Sequence, residues 1–283
     1  LWGTTFVAQD TGMDFIGPYT FCAVRLFLGF LGLLPFFIYF EFNEIKKINF
    51  NLKKVFFFTL ILGSIFGMAN ILQQVSLLYT DIANSAVFTV LYVVIVPLIS
   101  YFIFSIKIHP SIWPSVTLCL IGGLLLSEIK NYDVRFGDML VIIGAFFWAF
   151  HIIFIYKVLK IFNFPIAIAT FQCLVAGIFC SFPALAFETV TINLISKEIT
   201  ELLYAGILSS GVAFMLQAYA QRVLSPASVA IIFSLEGVFA SIFGWILLDQ
   251  FLSEIKVFGI MIILLAVIFS QLIPIYGKKN YGR

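Results

Sequence analysis

Apolar runs long enough to cross a lipid bilayer follow one another along almost the whole chain. A transmembrane helix needs about 20 mainly apolar residues. The 283-residue chain is 62% hydrophobic and 11% charged, whereas soluble domains are roughly 45–50% apolar and about 25% charged. Runs of this length and composition indicate membrane helices. We therefore predict an all-α polytopic membrane protein.

Ten such segments can be delimited, and we number them 1 to 10. Segment 1 is short, because nine helical residues rise only about 14 Å across a hydrocarbon core of about 30 Å. No initiator methionine precedes Leu1, so we expect a first helix truncated by about ten residues. The predicted segments are residues 1–9, 17–40, 55–78, 83–106, 112–127, 139–156, 165–187, 202–221, 227–248 and 256–274.

The loops are more basic on one side of the predicted bundle than on the other. Cytoplasmic loops are enriched in Lys and Arg, so both termini are predicted to be cytoplasmic, in a bacterial-type inner membrane. The net charge of +2 is too small to indicate a nucleic-acid partner. The richer side carries Lys46, Lys47, Lys53, Lys54, Lys107, Lys157, Lys160, Arg222, Lys278, Lys279 and Arg283, and the other carries Lys130, Arg135, Lys197 and Lys256.

A shift of 144 residues aligns the two halves of the chain. Because each half has five segments, an odd number, the second copy starts from the opposite side of the membrane. Such inverted repeats are typical of secondary transporters and place the binding site near the midplane. We predict one five-helix repeat at 1–128, a second at 138–274 and a basic cytoplasmic tail at 275–283. The matches are Leu72 with Leu216, Gln73 with Gln217, Ala83 with Ala227, Ala86 with Ala230 and Leu91 with Leu235.

Three stretches resemble a known family. They are residues 2–6 (WGTTF), Arg25 in segment 2, and residues 234–240 (SLEGVFA) followed by 244–250 (GWILLDQ). All three are similar to motifs of the EamA-type permeases of the drug/metabolite transporter superfamily. Gln9 stands where a lysine is common in that family, Gly237 where a proline is common and Asp249 where a glutamate is common. The resemblance implies a ten-helix carrier for amino acids, other metabolites or drugs.

Two charged residues inside the apolar segments are the main candidates for a site. Glu236 lies near the middle of segment 9, where an ionised acid costs about 2.5–3.5 kcal/mol. It either fixes helix packing as a buried carboxyl group, or binds a cationic group or carries a coupled proton. Arg25 either clamps a carboxylate or phosphate, or is a structural partner of Glu236 or of main-chain carbonyls.

Uncharged polar and aromatic residues complete the predicted binding site. Interhelical amide bonds, worth about 0.6 kcal/mol, are the alternative explanation for the amides, and Gln73 and Gln217 occupy equivalent repeat positions. His151 is a second candidate proton carrier, with simple packing as the alternative. The residues predicted to line the site beside Arg25 and Glu236 are Asn70, Gln74, Gln217, Tyr92 and Trp148.

An integral membrane enzyme and a non-transporting scaffold or sensor are the alternative classes. The best catalytic acid pair, Asp133 and Asp138, is explained by a solvated turn. All four cysteines lie in apolar runs, and neither histidine has a metal-ligand spacing, so we expect no metal, cofactor or catalytic residue. We predict a secondary carrier, with protons as a candidate coupling ion. Substrate, direction of transport and oligomeric state stay open.

Overall fold

The computed structural model is helical throughout the part of the chain that it describes, residues 1–49, 51–80, 82–127, 135–248 and 251–280. Within that part, seven helices are long and apolar enough to cross a membrane, and two shorter apolar helices accompany them. The prediction of an all-α polytopic membrane protein is confirmed. The seven are Pro18–Phe40, Leu52–Ser76, Phe136–Ile161, Pro165–Phe187, Ile199–Gln221, Pro226–Phe243 and Glu254–Ile273, and the shorter two are Tyr92–Phe102 and Ile112–Leu126.

The helices follow the predicted segments closely, with several interruptions. Segments 1 to 5 comprise Trp2–Thr11, Pro18–Phe36 with the π-helical turn Phe37–Glu41 and the short helix Phe42–Lys46, Leu52–Ser76, the pair Ile82–Thr89 and Tyr92–Phe102, and Ile112–Ser127. Segments 6 to 10 comprise Phe136–Ile161, Pro165–Phe187, Ile199–Leu203 with the π-helical stretch Tyr204–Ala213 and Phe214–Gln221, the pair Pro226–Phe233 and Leu235–Leu248, and Glu254–Asn280. A short helix, Ile192–Lys197, lies between segments 7 and 8.

Local sequence signals explain where several helices begin. Segments 2, 7 and 9 each start with a proline, whose fixed φ and missing N–H suit the first helical position. Asn51 accepts a hydrogen bond from the Lys54 N–H, so segment 3 begins three residues before the predicted 55. Asp138 accepts the Arg135 N–H at 2.9 Å and the Thr80 hydroxyl, which caps segment 6. Asp133, the other acid of the enzyme alternative, lies outside the described residues.

Segments 4 and 9 are each interrupted near their centres. The helical stretches of segment 4 end at Thr89 and resume at Tyr92, and those of segment 9 are separated by Ser234. The Ser234 N–H reaches the carbonyls of both Ala230 and Ile231 at 3.2 Å, a tight 3₁₀-like turn. Val90, in the segment 4 break, is 144 residues before Ser234, so the breaks are equivalent in the two halves. The sequence analysis predicted continuous helices here.

The packing of the helices repeats with an offset of five segments between the two halves of the chain. Segment 2 packs along segment 7, and segment 5 along segment 10. Segment 3 packs on segments 6 and 7 just as segment 8 packs on segments 1 and 2. Segment 4 contacts segment 6 as segment 9 contacts segment 1, and segments 4 and 9 contact each other. Exchanging each segment with the one five places away leaves these pairs unchanged, as two repeats require.

Candidate functional site

A cavity opens between the two halves, where segments 1, 2, 3, 4, 6, 8 and 9 converge. Six of the seven residues predicted to line a substrate site border it, together with the second proton candidate, His151. The six are Arg25, Asn70, Tyr92, Trp148, Gln217 and Glu236. Gln74 lies outside this lining, because its side-chain amide donates to the main-chain carbonyl of Gln9 at 2.7 Å and ties segment 3 to segment 1.

Arg25 is a buried cation that a neutral side chain holds in place. It is 3% exposed, and its Nη2 donates to the Asn70 Oδ1. The Asn70 Nδ2 in turn donates to the Phe66 carbonyl at 2.8 Å, which turns the amide oxygen toward the guanidinium. The Arg25 Nε has no hydrogen-bond partner among the described residues. Arg25 also forms no salt bridge with a carboxylate of the described residues, so its charge and this N–H are both unpaired there.

Glu236 lies in the first turn of the second half of segment 9, directly after the break. Its carboxylate has no hydrogen-bond or salt-bridge partner among the described residues, and it forms no ion pair with Arg25. The suggested structural pairing of Arg25 with Glu236 is thus not observed. Tyr92, 144 residues before Glu236, holds the equivalent position after the segment 4 break. It also borders the cavity.

Aromatic rings form one wall of the cavity around Phe214. Trp148 stacks on Phe214 with ring centroids 5.9 Å apart, and Trp2 approaches the same ring at 4.8 Å. Phe66 packs on Phe214 at 4.5 Å and stacks on the His151 ring at 4.8 Å. This wall makes the lining of the cavity mainly apolar beside its charged groups.

His151 and two glutamines supply further polar atoms. The His151 Nε2 is 3.0 Å from Gln172 Oε1, while its Nδ1 has no hydrogen-bond partner in the described ranges of the chain. Gln217 donates to Gln221 Oε1 at 3.1 Å, and Gln221 donates to the Ile152 carbonyl at 2.7 Å. The buried Gln217 Oε1 also lacks a hydrogen-bond partner among the residues that the structure describes. Buried polar atoms are rarely left unpaired, so these atoms mark where a bound molecule or water would make hydrogen bonds.

Five polar residues that border the cavity are not among those predicted from the sequence to line the site: Gln9, Gln73, Thr89, Ser209 and Ser210. Helix packing is the alternative explanation for the equivalent pair Gln73 and Gln217, yet both border the cavity. The two serines lie in the π-helical stretch Tyr204–Ala213, and π-helical geometry is frequent at functional sites. No pattern in the sequence predicted that π-helical stretch. The described residues contain no cluster of three or more His, Cys, Asp or Glu side chains suited to a metal ion.

Comparison with known proteins identifies the family. The model of the EamA-like transporter family matches residues 1–128 and again residues 135–272. The chain belongs to the EamA-like transporter family. The resemblance predicted from residues 2–6, Arg25 and the segment 9 motif is thereby confirmed, and the protein is an integral, multi-pass membrane transporter.

Two relatives of this EamA-like transporter are themselves named only as transporters. It is 31% identical over 272 residues to an uncharacterized transporter of Archaeoglobus fulgidus, covering 96% of this chain and 82% of the relative. It is 26% identical over 275 residues to the uncharacterized transporter YoaV of Bacillus subtilis, covering 93% and 90%. A solved crystal structure of 14% sequence identity superposes with a TM-score of 0.78 over 96% of this chain and 92% of that one, which shows a shared fold.

Proposed function

We propose that this EamA-like transporter is a secondary carrier for a small zwitterionic metabolite, such as an amino acid or a related compound. The observation that carries the proposal is the pair of opposite charges in one cavity. Arg25 and Glu236 both border it, and neither forms a salt bridge within the part of the chain that the structure describes. A substrate with one anionic and one cationic group would satisfy both.

The surroundings of the two charges favour this substrate over a simple ion. The free Arg25 Nε and the Nη2 held by Asn70 suit a planar carboxylate. The unpartnered Glu236 carboxylate suits an ammonium group, and the aromatic wall around Phe214 suits an apolar side chain. A drug with the same charge pattern is the alternative substrate. Because burying an unpaired charge is costly, a neutral ligand would gain less from this cavity.

The proposed transport cycle is alternating access about a site between two inverted repeats. The division into repeats at 1–128 and 138–274 is supported by the two matches of the family model. The equivalent breaks at Val90 and Ser234 interrupt two cavity-lining segments and are the proposed hinges of this motion. The excess of basic residues in alternate loops supports cytoplasmic termini in a bacterial-type inner membrane, with the tail at 275–283 on the same side.

Proton coupling is part of the proposal, with Glu236 as the carrier and His151 as the second candidate. A carboxyl group without a fixed protein partner exchanges its proton for a substrate cation without breaking another contact. Both residues border the cavity, but the His151 side chain is fully buried whereas Glu236 is partly exposed, which favours Glu236 as the carrier.

A ligand-induced thermal-shift screen of the purified full-length protein tests the substrate class. The panel contains amino acids, organic acids, nucleobases and cationic drugs, because a ligand that binds only the folded state raises its stability. We expect stabilisation by zwitterions that Arg25→Ala and Glu236→Gln both abolish. Stabilisation only by acids or only by cations would contradict the proposed zwitterionic substrate. A folded sample that no compound stabilises would favour the enzyme or scaffold alternatives.

A further inference from the structure

Two carboxylates outside the cavity bind the starts of segments 2 and 7. Glu188, which follows segment 7, accepts the main-chain N–H groups of Tyr19 at 2.9 Å and Thr20 at 2.7 Å. Glu41, at the end of segment 2, accepts those of Ile166 at 3.1 Å and Ala167 at 2.7 Å. We call these contacts the segment 2 cap and the segment 7 cap. Each helix is thus capped by the carboxylate at the end of the other.

The two caps are copies of one another. Glu188 follows Glu41 by the same 147 residues that separate Ile166 from Tyr19 and Ala167 from Thr20. The prolines that begin the two helices have this spacing as well. Because the end of each helix meets the start of the other, segments 2 and 7 run antiparallel. One cap therefore lies at each end of the pair, toward opposite faces of the membrane.

In the described part of the chain, each carboxylate accepts hydrogen bonds only from main-chain N–H groups at a helix start. Neither Glu41 nor Glu188 forms a salt bridge there. The first N–H groups of a helix have no partner within it and carry partial positive charge, so an acceptor carboxylate stabilises them. A Cβ atom on Gly17 would lie 2.2 Å from the Glu188 carboxyl carbon, so the segment 2 cap needs glycine at that position.

The bodies of segments 2 and 7 are also packed between the caps. Phe27 lies against Gly177, where a Cβ atom would come within 3.2 Å of the phenyl ring. Cys22, Ala23, Cys173 and Cys180 belong to one buried cluster. Segment 2 also carries Arg25 into the cavity, and segment 7 carries Gln172, which orients His151.

We propose that Glu41 and Glu188 are positioning residues that fasten segments 2 and 7 into one rigid body, which stays intact while other segments move during transport. This rests on the proposed alternating access. If the caps were alternating gates, one would be open wherever the other is closed, yet both are closed in the same structure. Motion then falls to the segments around this body, above all to segments 4 and 9 with their central breaks.

Distances between pairs of spin labels test the proposal. One pair joins segments 2 and 7 at the exposed positions Phe36 and Phe182, and the other joins segments 4 and 9 at Tyr101 and Trp245. The protein carries alanine at its four native cysteines, and a mixture of the standard amino acids is the added probe. We expect an unchanged distance for the first pair and a shift of several ångströms for the second.

Two outcomes of this measurement separate the inference from the proposed function. A shift between Phe36 and Phe182 that matches or exceeds the one between Tyr101 and Trp245 would overturn the rigid body while leaving transport intact. No shift in either pair would instead count against alternating access with these substrates, and the rigid body would fall with it.

Variants of the caps test the carboxylates themselves. Glu41→Ala and Glu188→Ala should each broaden the Phe36–Phe182 label-distance distribution. Glu188→Gln should broaden it less, because its single amide oxygen still accepts one of the two hydrogen bonds. Glu44→Gln is the matched control, since Glu44 is an exposed acid near Glu41 that pairs with Lys47. A distribution as narrow in both alanine variants as in the control would overturn the proposal.

Discussion

Two charged side chains of the cavity differ in how firmly the protein holds them. Asn70 accepts a hydrogen bond from Arg25, and the Phe66 carbonyl fixes Asn70 in turn. Glu236 has no such support in the described part of the chain. A substitution of Arg25 therefore disturbs packing as well as binding, whereas a substitution of Glu236 acts mainly on whatever occupies the cavity.

Arg25→Lys should weaken substrates that carry a carboxylate far more than analogues that lack it. Lysine keeps the charge but loses the planar set of donors that matches a carboxylate. A hydrogen bond to a charged group contributes about 1.5–3 kcal/mol, so we expect roughly a 10- to 100-fold loss of affinity for an amino acid. Binding to the variant is measured by calorimetry, with the decarboxylated amine as the matched ligand. Equal losses for both ligands would mean that Arg25 is structural.

Glu236→Gln should abolish accumulation driven by a pH gradient while substrate exchange persists. Glutamine has nearly the same shape as glutamate but cannot carry a proton. Uptake into proteoliposomes is measured with and without an imposed gradient, and Glu254→Gln, at an exposed acid, is the control. Gradient-driven accumulation that survives in Glu236→Gln would transfer the proton role to His151 or remove it altogether.

Close backbone contacts between helices position the charged residues. Gly206 of segment 8 faces segment 2, where a Cβ atom would lie 2.8 Å from the Arg25 carbonyl oxygen and 2.6 Å from the Leu28 Cβ. Small residues at such contacts let membrane helices approach closely. The position of the Arg25 main chain therefore depends on the absence of a side chain on the neighbouring helix.

Gly206→Ala should lower the unfolding temperature by several degrees and weaken carboxylate binding together. The added methyl group meets main-chain atoms that cannot turn away, and overpacking of this kind costs about 1–3 kcal/mol. Gly144→Ala is the matched control, because its new Cβ would find the nearest atom, Leu72 Cβ, at an ordinary 3.5 Å. Equal melting temperatures for the two variants would show that segments 2 and 8 are not tightly packed here.

The segment 7 cap should give the protein a measurable dependence of stability on pH. Burial raises the pKa of the Glu41 carboxyl group, and the hydrogen bonds from Ala167 and Ile166 together with the positive charge of Arg222 offset only part of that rise. A raised pKa in the folded state means that the folded protein binds this proton more tightly than the unfolded chain does. Stability from this group is therefore present below about pH 4.5 and is lost as the pH rises through the raised pKa.

Glu41→Gln should remove the loss of stability that ionisation of Glu41 causes as the pH rises. Thermal unfolding of the wild type and of the variant is compared from about pH 4 to pH 7, with Glu44→Gln as the control. We expect the wild type to lose stability relative to Glu41→Gln as the pH rises across this range. A difference between the two proteins that does not change with pH would contradict the prediction.

The architecture of the whole molecule was largely predictable, because hydrophobic length and repeat spacing are properties of the sequence itself. Apolar runs delimited the segments to within a few residues, and the motifs around Trp2, Arg25 and Glu236 indicated the family. The breaks at Val90 and Ser234 were not predictable, since apolar composition continues through both of them. The caps of Glu41 and Glu188 were also missed, because each joins residues more than 120 positions apart.

The site was predictable in its charges and less so in its amides and hydroxyls. A charge within lipid is rare enough to indicate function from its position alone, so Arg25 and Glu236 were found. Amides serve helix packing and substrate binding equally well, and only the fold places Gln73 in the cavity lining and Gln74 outside it. The proposed repeats differ in this chemistry, because Arg25 and Glu236 have Gln172 and Tyr92 as their counterparts in the other half of the chain.

The central claim is that opposite charges in one cavity bind and carry a zwitterion. The most direct measurement is counterflow of a radiolabelled amino acid into proteoliposomes that hold the same unlabelled amino acid, repeated with its deaminated acid and its decarboxylated amine as competitors. We predict counterflow that the parent amino acid inhibits at least tenfold more strongly than either analogue. In Glu236→Gln the preference for a compound with an amino group should be lost, and in Arg25→Lys the preference for a compound with a carboxylate should be lost. Equal inhibition by all three compounds, or a preference unchanged in both variants, would contradict the account.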